Sequence, residues 1–393
     1  MSELEEKLDG CKETLQTDCE LDLNPEQKAF LERQAICNDK MLRREDSVER
    51  VNKKSGIIDV LFQGDMLLSK EQQHDLIADI GDSRSKRQAY NDTSYPGRRW
   101  SKGVFYSLDG TLNETAKAAF RKAAELWMND TCIDFIEDLE EEAEDLLLVF
   151  SEYGCWAEVG RQEGWQLLSL GEGCGTPDRR KQFVRRSRKV NNNYNITYDY
   201  GSVMHYGAKS FINASLVKGN FTILPKDVNY TETLGSKFIG FYDLLMMNMY
   251  YNCTDICKSE HNADEKCNGG FPHPRDCSKC ICPSGYGGQH CDERPPGCGE
   301  ELNATDTWQW LNDSLHGGEV GRDGLKKCHY WIKAPNGSKI EIKLVEVPEH
   351  HYEGCTHAGV EIKTQADQRL TGYSYRLLIE HMANISEIIY DVE

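Results

Sequence analysis

The sequence predicts a chain of class α+β in which a mixed helix-and-strand domain is followed by a small disulfide-rich module and a further strand-forming segment. Three patterns predict it. Short β-type runs flank an amphipathic helix between residues 104 and 150. Six cysteines crowd into 257–291 among glycine turns. Lys339-Ile340-Glu341-Ile342-Lys343-Leu344 alternates with the two-residue period of a half-buried strand. At 393 residues and 39% apolar content, the chain is long enough for two or three domains, each with its own core. The expected boundaries are 1–87, 88–253, 254–292 and 298–393.

A formal net charge of -19 argues against nucleic acid as a partner, because a phosphate-binding surface needs a basic field. Much of the excess sits in one run, 137–145, which reads as a solvated connection. Sixteen cysteines and twelve Asn-x-Ser/Thr sequons, Asn113, Asn129, Asn195, Asn220, Asn303 and Asn336 among them, point to the secretory pathway and an extracellular location. The start, Met1-Ser2-Glu3-Leu4-Glu5-Glu6-Lys7, has neither the basic nor the apolar region of a signal peptide. No membrane span is expected. Leu146-Leu147-Leu148-Val149-Phe150, the longest approach to one, suits a buried strand.

Taken in order, residues 1–87 read as a charged, weakly structured prosegment ending in Arg84-Ser85-Lys86-Arg87, a dibasic cleavage site with Arg87 as the processing residue. The alternating Val104, Tyr106 and Leu108 predict a strand, closed by the turn Asp109-Gly110. Residues 114–128 predict a helix with Ala116, Ala119, Phe120, Ala123 and Trp127 as its core stripe. The basic run from Arg179 to Lys189 is either a loop of the scaffold or a site for a polyanion such as a heparin-like glycan.

Ser202-Val203-Met204-His205-Tyr206, preceded by Tyr198-Asp199-Tyr200-Gly201, resembles the methionine turn of the astacin family of secreted zinc metalloendopeptidases. Tyr95-Pro96-Gly97-Arg98-Arg99-Trp100 resembles the start of a mature astacin. Gly154-Cys155-Trp156, Gly160-Arg161 and Leu168 to Cys174 match nematode-type members, as does Asn191-Asn192-Asn193-Tyr194-Asn195-Ile196. The likeness covers about residues 57–375. It implies a two-lobed protease domain, an EGF-like module and a partial CUB β-sandwich that begins around Cys298 and Cys328. It also implies that Leu146–Phe150 is the edge strand that pairs with extended substrate.

In such proteases three imidazoles hold Zn²⁺ with one open position, and a glutamate takes the proton of the metal-bound water. The resemblance gives Tyr206 the oxyanion-stabilising, zinc-capping position and puts Met204 beneath the ligands. In the prosegment, Phe62-Gln63-Gly64-Asp65 resembles the motif whose aspartate occupies the zinc before activation, which makes Asp65 a latency ligand. The implied disulfides are Cys132 with Cys253, Cys155 with Cys174, Cys257 with Cys277, Cys267 with Cys280, and Cys282 with Cys291. Spacing alone leaves connectivity open, and a zinc knuckle on Cys277-x-x-Cys280-x-Cys282 is the rival use of that cluster.

The metal-binding half of the family pattern, His-Glu-x-x-His-x-x-Gly-x-x-His on one helix, is absent. No histidine occurs between His74 and His205. After Cys174 the chain continues Gly175-Thr176-Pro177-Asp178 into the basic run, and only 30 positions separate Cys174 from Met204. Such a helix would bury about five apolar side chains, so its loss costs on the order of 10 kcal/mol, comparable to the stability of a domain. A clean excision near 175–182 between matched flanks is therefore explained better by a skipped exon or faulty gene model than by drift. The expectation is a family whose members use Zn²⁺ to cut protein or peptide substrates, and a chain that binds no stoichiometric zinc and is inactive as written. The alternative is a non-catalytic secreted protein that binds extracellular partners through its EGF-like and CUB surfaces.

Overall fold

The structure is a computed structural model. It describes residues 61, 65–73, 89–90, 96–152, 154–171, 191–210, 221, 223–259, 266–311, 326–335, 337–346, 359–375 and 387–392. The fold is α+β and forms two compact units. One comprises Met1–Tyr198, Lys209–Val228 and Met249–Tyr251; the other comprises Asp199–Ala208, Asn229–Asn248 and Asn252–Glu393.

The first unit is built on a six-stranded sheet. In chain order its strands are β1 (Met66–Leu67), β3 (Val104–Leu108), β4 (Phe135–Glu137), β5 (Leu146–Phe150), β6 (Cys155–Glu158) and β7 (Trp165–Leu170), and their spatial order is β1-β6-β7-β5-β3-β4. A separate short pair joins β2 (Ala89–Tyr90) to β8 (Asn191–Asn192). β5 runs parallel to both neighbours, with Leu148 opposite Leu167 on β7 and Ser107 on β3. Leu146 and Val149 are fully buried, which suits an almost wholly apolar strand with ladders on both sides.

This placement corrects the expected substrate edge. β5 is central, between β3 and β7; beyond β7 lies β6, antiparallel to it and covered by β1 in parallel register, Met66 opposite Ala157.

Helix α1 spans Glu114–Asp130. Asn113 caps it, its side-chain oxygen accepting from the Ala116 N–H at 2.8 Å. At the other end the Thr131 hydroxyl donates to the Trp127 carbonyl at 2.6 Å. The expected stripe is turned around the helix axis: Ala119 and Ala123 are exposed, Ala124 is buried, and Ala116, Phe120 and Trp127 are half-buried. Tyr106 of β3 sets this rotation, since its ring lies 4.9 Å from that of Phe120. The Arg121 guanidinium grips Glu137 of β4 through two hydrogen bonds of 2.9 and 2.7 Å.

In the second unit, α2 (Phe241–Tyr250) carries Phe241, Tyr242, Leu244 and Asn248 inward. A hairpin of β9 (Phe271–His273) and β10 (Asp276–Ile281) follows, stapled by Cys257–Cys277, Cys267–Cys280 and Cys282–Cys291. Those bridges overturn the zinc-knuckle alternative, because oxidised sulfurs are not thiolate ligands. Cys298–Cys328 opens the last segment. There β11 (Glu301–Asn303) pairs with β13 (Trp331–Lys333), β12 (Gln309–Leu311) and β14 (Ile340–Glu346) flank β17 (Glu387–Val392), and β15 (Val360–Ile362) pairs with β16 (Tyr373–Tyr375). The described strands of this segment make three separate sheets.

Candidate functional site

The turn that carries Met204 and Tyr206 is held by two buried carboxylates. Asp199 accepts from the Gly201 N–H at 3.0 Å and from the Thr371 hydroxyl at 2.9 Å. Asp243, in the first turn of α2, accepts from the Ser202 hydroxyl at 2.5 Å, the Val203 N–H at 3.0 Å and the Gly240 N–H at 2.8 Å. Ser202 in turn accepts from the Met204 N–H at its hydroxyl and the His205 N–H at its carbonyl. Burial pushes both carboxyls above the ordinary aspartate range, opposed in each case by the hydrogen bonds they accept. Tyr200 stacks on Tyr230, ring centroids 4.6 Å apart.

Within this scaffold Met204 is 65% exposed. Tyr206 is half-buried, and its carbonyl lies 2.7 Å from Nδ1 of His205. His205 is the only imidazole of the segment 88–253. Among the described residues, no group of three or more His, Cys, Asp or Glu side chains converges to hold a metal ion. A catalytic zinc needs three protein ligands, and this donor set does not fit one.

In the other unit, Asp65 stands just before β1, and its carbonyl accepts from the Ala157 N–H at 2.9 Å. The segment beyond it is anchored by residues the sequence reading missed. Ser69 and Gln72 cap each other reciprocally across a helical turn. The fully buried Gln72 also donates from Nε2 to the Val159 carbonyl at 3.0 Å. Glu71 pairs with Arg98, which donates to Gln162 at 2.6 Å. The Ser-x-x-Gln spacing was the available signal. Arg161 bridges to Asp145 and to the Gly97 carbonyl, which ties the acidic connection and the 96–100 segment to one loop.

Every described cysteine is disulfide-bonded, Cys132, Cys155 and Cys253 included. Phe62, Gly64, Arg87, Cys174, the basic run 179–189 and the excision near 175–182 lie outside the described residues.

The sequence model described as Astacin, a peptidase family, matches residues 92–179 and 175–252. Zinc metalloproteinase nas-31 of Caenorhabditis elegans is 38% identical over 379 residues, which cover 86% of this chain and 61% of that protein. Zinc metalloproteinase nas-29 of the same species is 31% identical over 390 residues, covering 84% of this chain and 71% of that one. The chain belongs to the astacin family. Zinc metalloproteinase nas-25, also of C. elegans, is 32% identical over 330 residues, 73% of this chain and 81% of its own length. The chain spans less than two thirds of nas-31 and 54% of the zinc metalloproteinase nas-32. The astacin match falls into two stretches that overlap at 175–179, where the zinc-binding signature is missing from the sequence. The relatives it matches are named as zinc metalloproteinases. No helix among the described residues is long and apolar enough to cross a membrane.

Proposed function

We propose that this chain is a secreted astacin-family protein, synthesised with a prosegment, which as encoded here neither holds zinc stoichiometrically nor cleaves peptides. The observation that carries this reading is the absence of any histidine between His74 and His205, at the place where the family match breaks. Zinc-activated hydrolysis of internal peptide bonds then belongs to a form that contains the missing helix. In that form Tyr206 would face the developing oxyanion, and Asp65 would serve as latency ligand.

Secretion is supported by the fully oxidised set of described cysteines and by the exposure of the sequon asparagines Asn113, Asn129, Asn195 and Asn303. The cleavage expected at Arg87 leaves a prosegment that still has the β1 ladder and Gln72 to hold it. A role as a binding protein draws support from Trp308 and Trp310, 42% and 59% exposed beside and on β12.

The test is to secrete the chain from a eukaryotic host, cleave it after Arg87, and assay metal content and peptidase activity together. We expect well under one zinc per chain and no chelator-sensitive hydrolysis. Restoring a His-Glu-x-x-His segment between Cys174 and Asn191 should raise both readouts.

A further inference from the structure

The hairpin of β15 and β16 lies far along the chain from the methionine turn, yet its loop and the start of β16, residues 363–374, make several polar contacts with Asp199, Thr233 and Tyr242, which surround that turn. Thr371 donates to the Asp199 carboxylate from its N–H at 3.3 Å and its hydroxyl at 2.9 Å, across 172 positions of sequence. The Thr233 hydroxyl accepts from the Ser374 N–H at 2.9 Å and donates to the Gly372 carbonyl at 3.4 Å. The Tyr242 hydroxyl donates to Asp367 at 2.5 Å, and the Arg369 guanidinium lies 5.5 Å over the same ring. Tyr373 packs on Tyr230, ring centroids 4.6 Å apart, and Tyr230 stacks on Tyr200 of the turn.

The loop is braced from within. Glu361 accepts from the Gly372 N–H at 2.8 Å, Lys363 donates to the Gln368 carbonyl at 2.9 Å, and Gln365 donates to the Tyr373 hydroxyl at 3.0 Å. Its fit to the turn is tight enough to dictate a residue there. A Cβ added at Gly201 would overlap the side chain of Thr371, and one at Gly240 would lie 3.3 Å from Asp243 and 3.5 Å from Asp199. Neither glycine has a positive φ, so the approach of Thr371, rather than backbone conformation, is what requires glycine at 201.

We propose that the 363–374 loop is a clamp on the methionine turn, so that the turn and the carboxyl-terminal hairpin open as one cooperative element. A self-braced loop whose Thr371, Asp367 and Tyr373 all engage the lobe cannot leave Asp199 without also releasing Thr233 and Tyr242. The state of the turn is thereby tied to the carboxyl-terminal segment, with no metal needed to hold it.

Hydrogen exchange on the full, disulfide-intact chain tests this. Gly201→Ala should raise exchange at Thr371–Ser374 as well as at Gly201–Ser202, by about ten-fold or more, because coupled contacts open together. Adding Thr371→Gly removes the overlap and should relieve part of the rise in both segments together, short of wild type because the hydroxyl bond to Asp199 is lost with it. Exchange that rises only in the turn, or effects of the two substitutions that simply add, would overturn the proposal. Thr371→Val and Asp367→Asn, which keep side-chain shape, probe the coupling from the hairpin side should Gly201→Ala fail to fold. Faster exchange at Gly201–Ser202 in these variants supports the clamp, and unchanged exchange there overturns it.

Discussion

Asp199 and Asp243 are carboxylates sealed beneath a turn, and their burial has a thermodynamic sign. A carboxyl whose folded pKa lies above its unfolded value binds its proton more tightly in the native state. Between the two values the folded protein holds more protons, so this contribution to stability grows as pH falls and is weakest at neutral pH. Asp199→Asn removes the ionisable group while leaving Lys363, which burial holds below the ordinary lysine range, in place. The stability of wild type relative to Asp199→Asn should therefore rise as pH is lowered from 7 to 5, as measured by denaturant unfolding. A flat or falling difference would show that the hydrogen bonds from Gly201 and Thr371 outweigh desolvation. Gln72 makes the opposite case, a neutral group whose partners need it. Gln72→Leu strands the Val159 carbonyl and the Ser69 N–H, and should cost about 1–3 kcal/mol, read as faster proteolysis of the 65–73 segment. Neither aspartate's role was legible in the sequence, because their partners arrive from Thr371 and Ser202, and spacing does not reveal such long-range pairing.

At the level of elements, local periodicity revealed strands better than faces. Val104–Leu108 and Leu146–Phe150 form where their patterns place them, since β-type apolar runs between turn residues have few other uses. The neighbours of β5 were not legible, because an all-apolar run looks the same wherever it lies in a sheet. Helix α1 begins at its Asn113 cap, and Asn113→Ala should cost about 1 kcal/mol in thermal or denaturant unfolding. Its buried face was misjudged because Ala119 and Ala123 share a stripe with Phe120 on a helical projection, while the contact of Phe120 with Tyr106 turns Ala124 inward. The ladder between β1 and β6 makes Met66–Leu67, within the proposed prosegment, a strand of the sheet. Its removal should expose the β6 edge and speed exchange at Ala157, whose N–H donates to Asp65.

For the whole molecule, the family was legible from short motifs around the turn and the cysteines, and the two-part match agrees with them. The division into compact units was not, since the second unit gathers the methionine turn, α2 and the carboxyl-terminal segment across peptidase-like sequence. Hydrogen bonds from Asp199, Thr233 and Tyr242 to residues 367–374 span that separation, which a reading along the chain does not weigh. The missing helix bears on function more than any element that is present, because family chemistry rests on ligands this chain does not encode. The most direct measurement is the metal content of the secreted, prosegment-cleaved chain, taken beside its hydrolysis of a peptide with and without chelator. The account predicts protein without stoichiometric zinc and no hydrolysis above background. One zinc per chain with chelator-sensitive cleavage would contradict it.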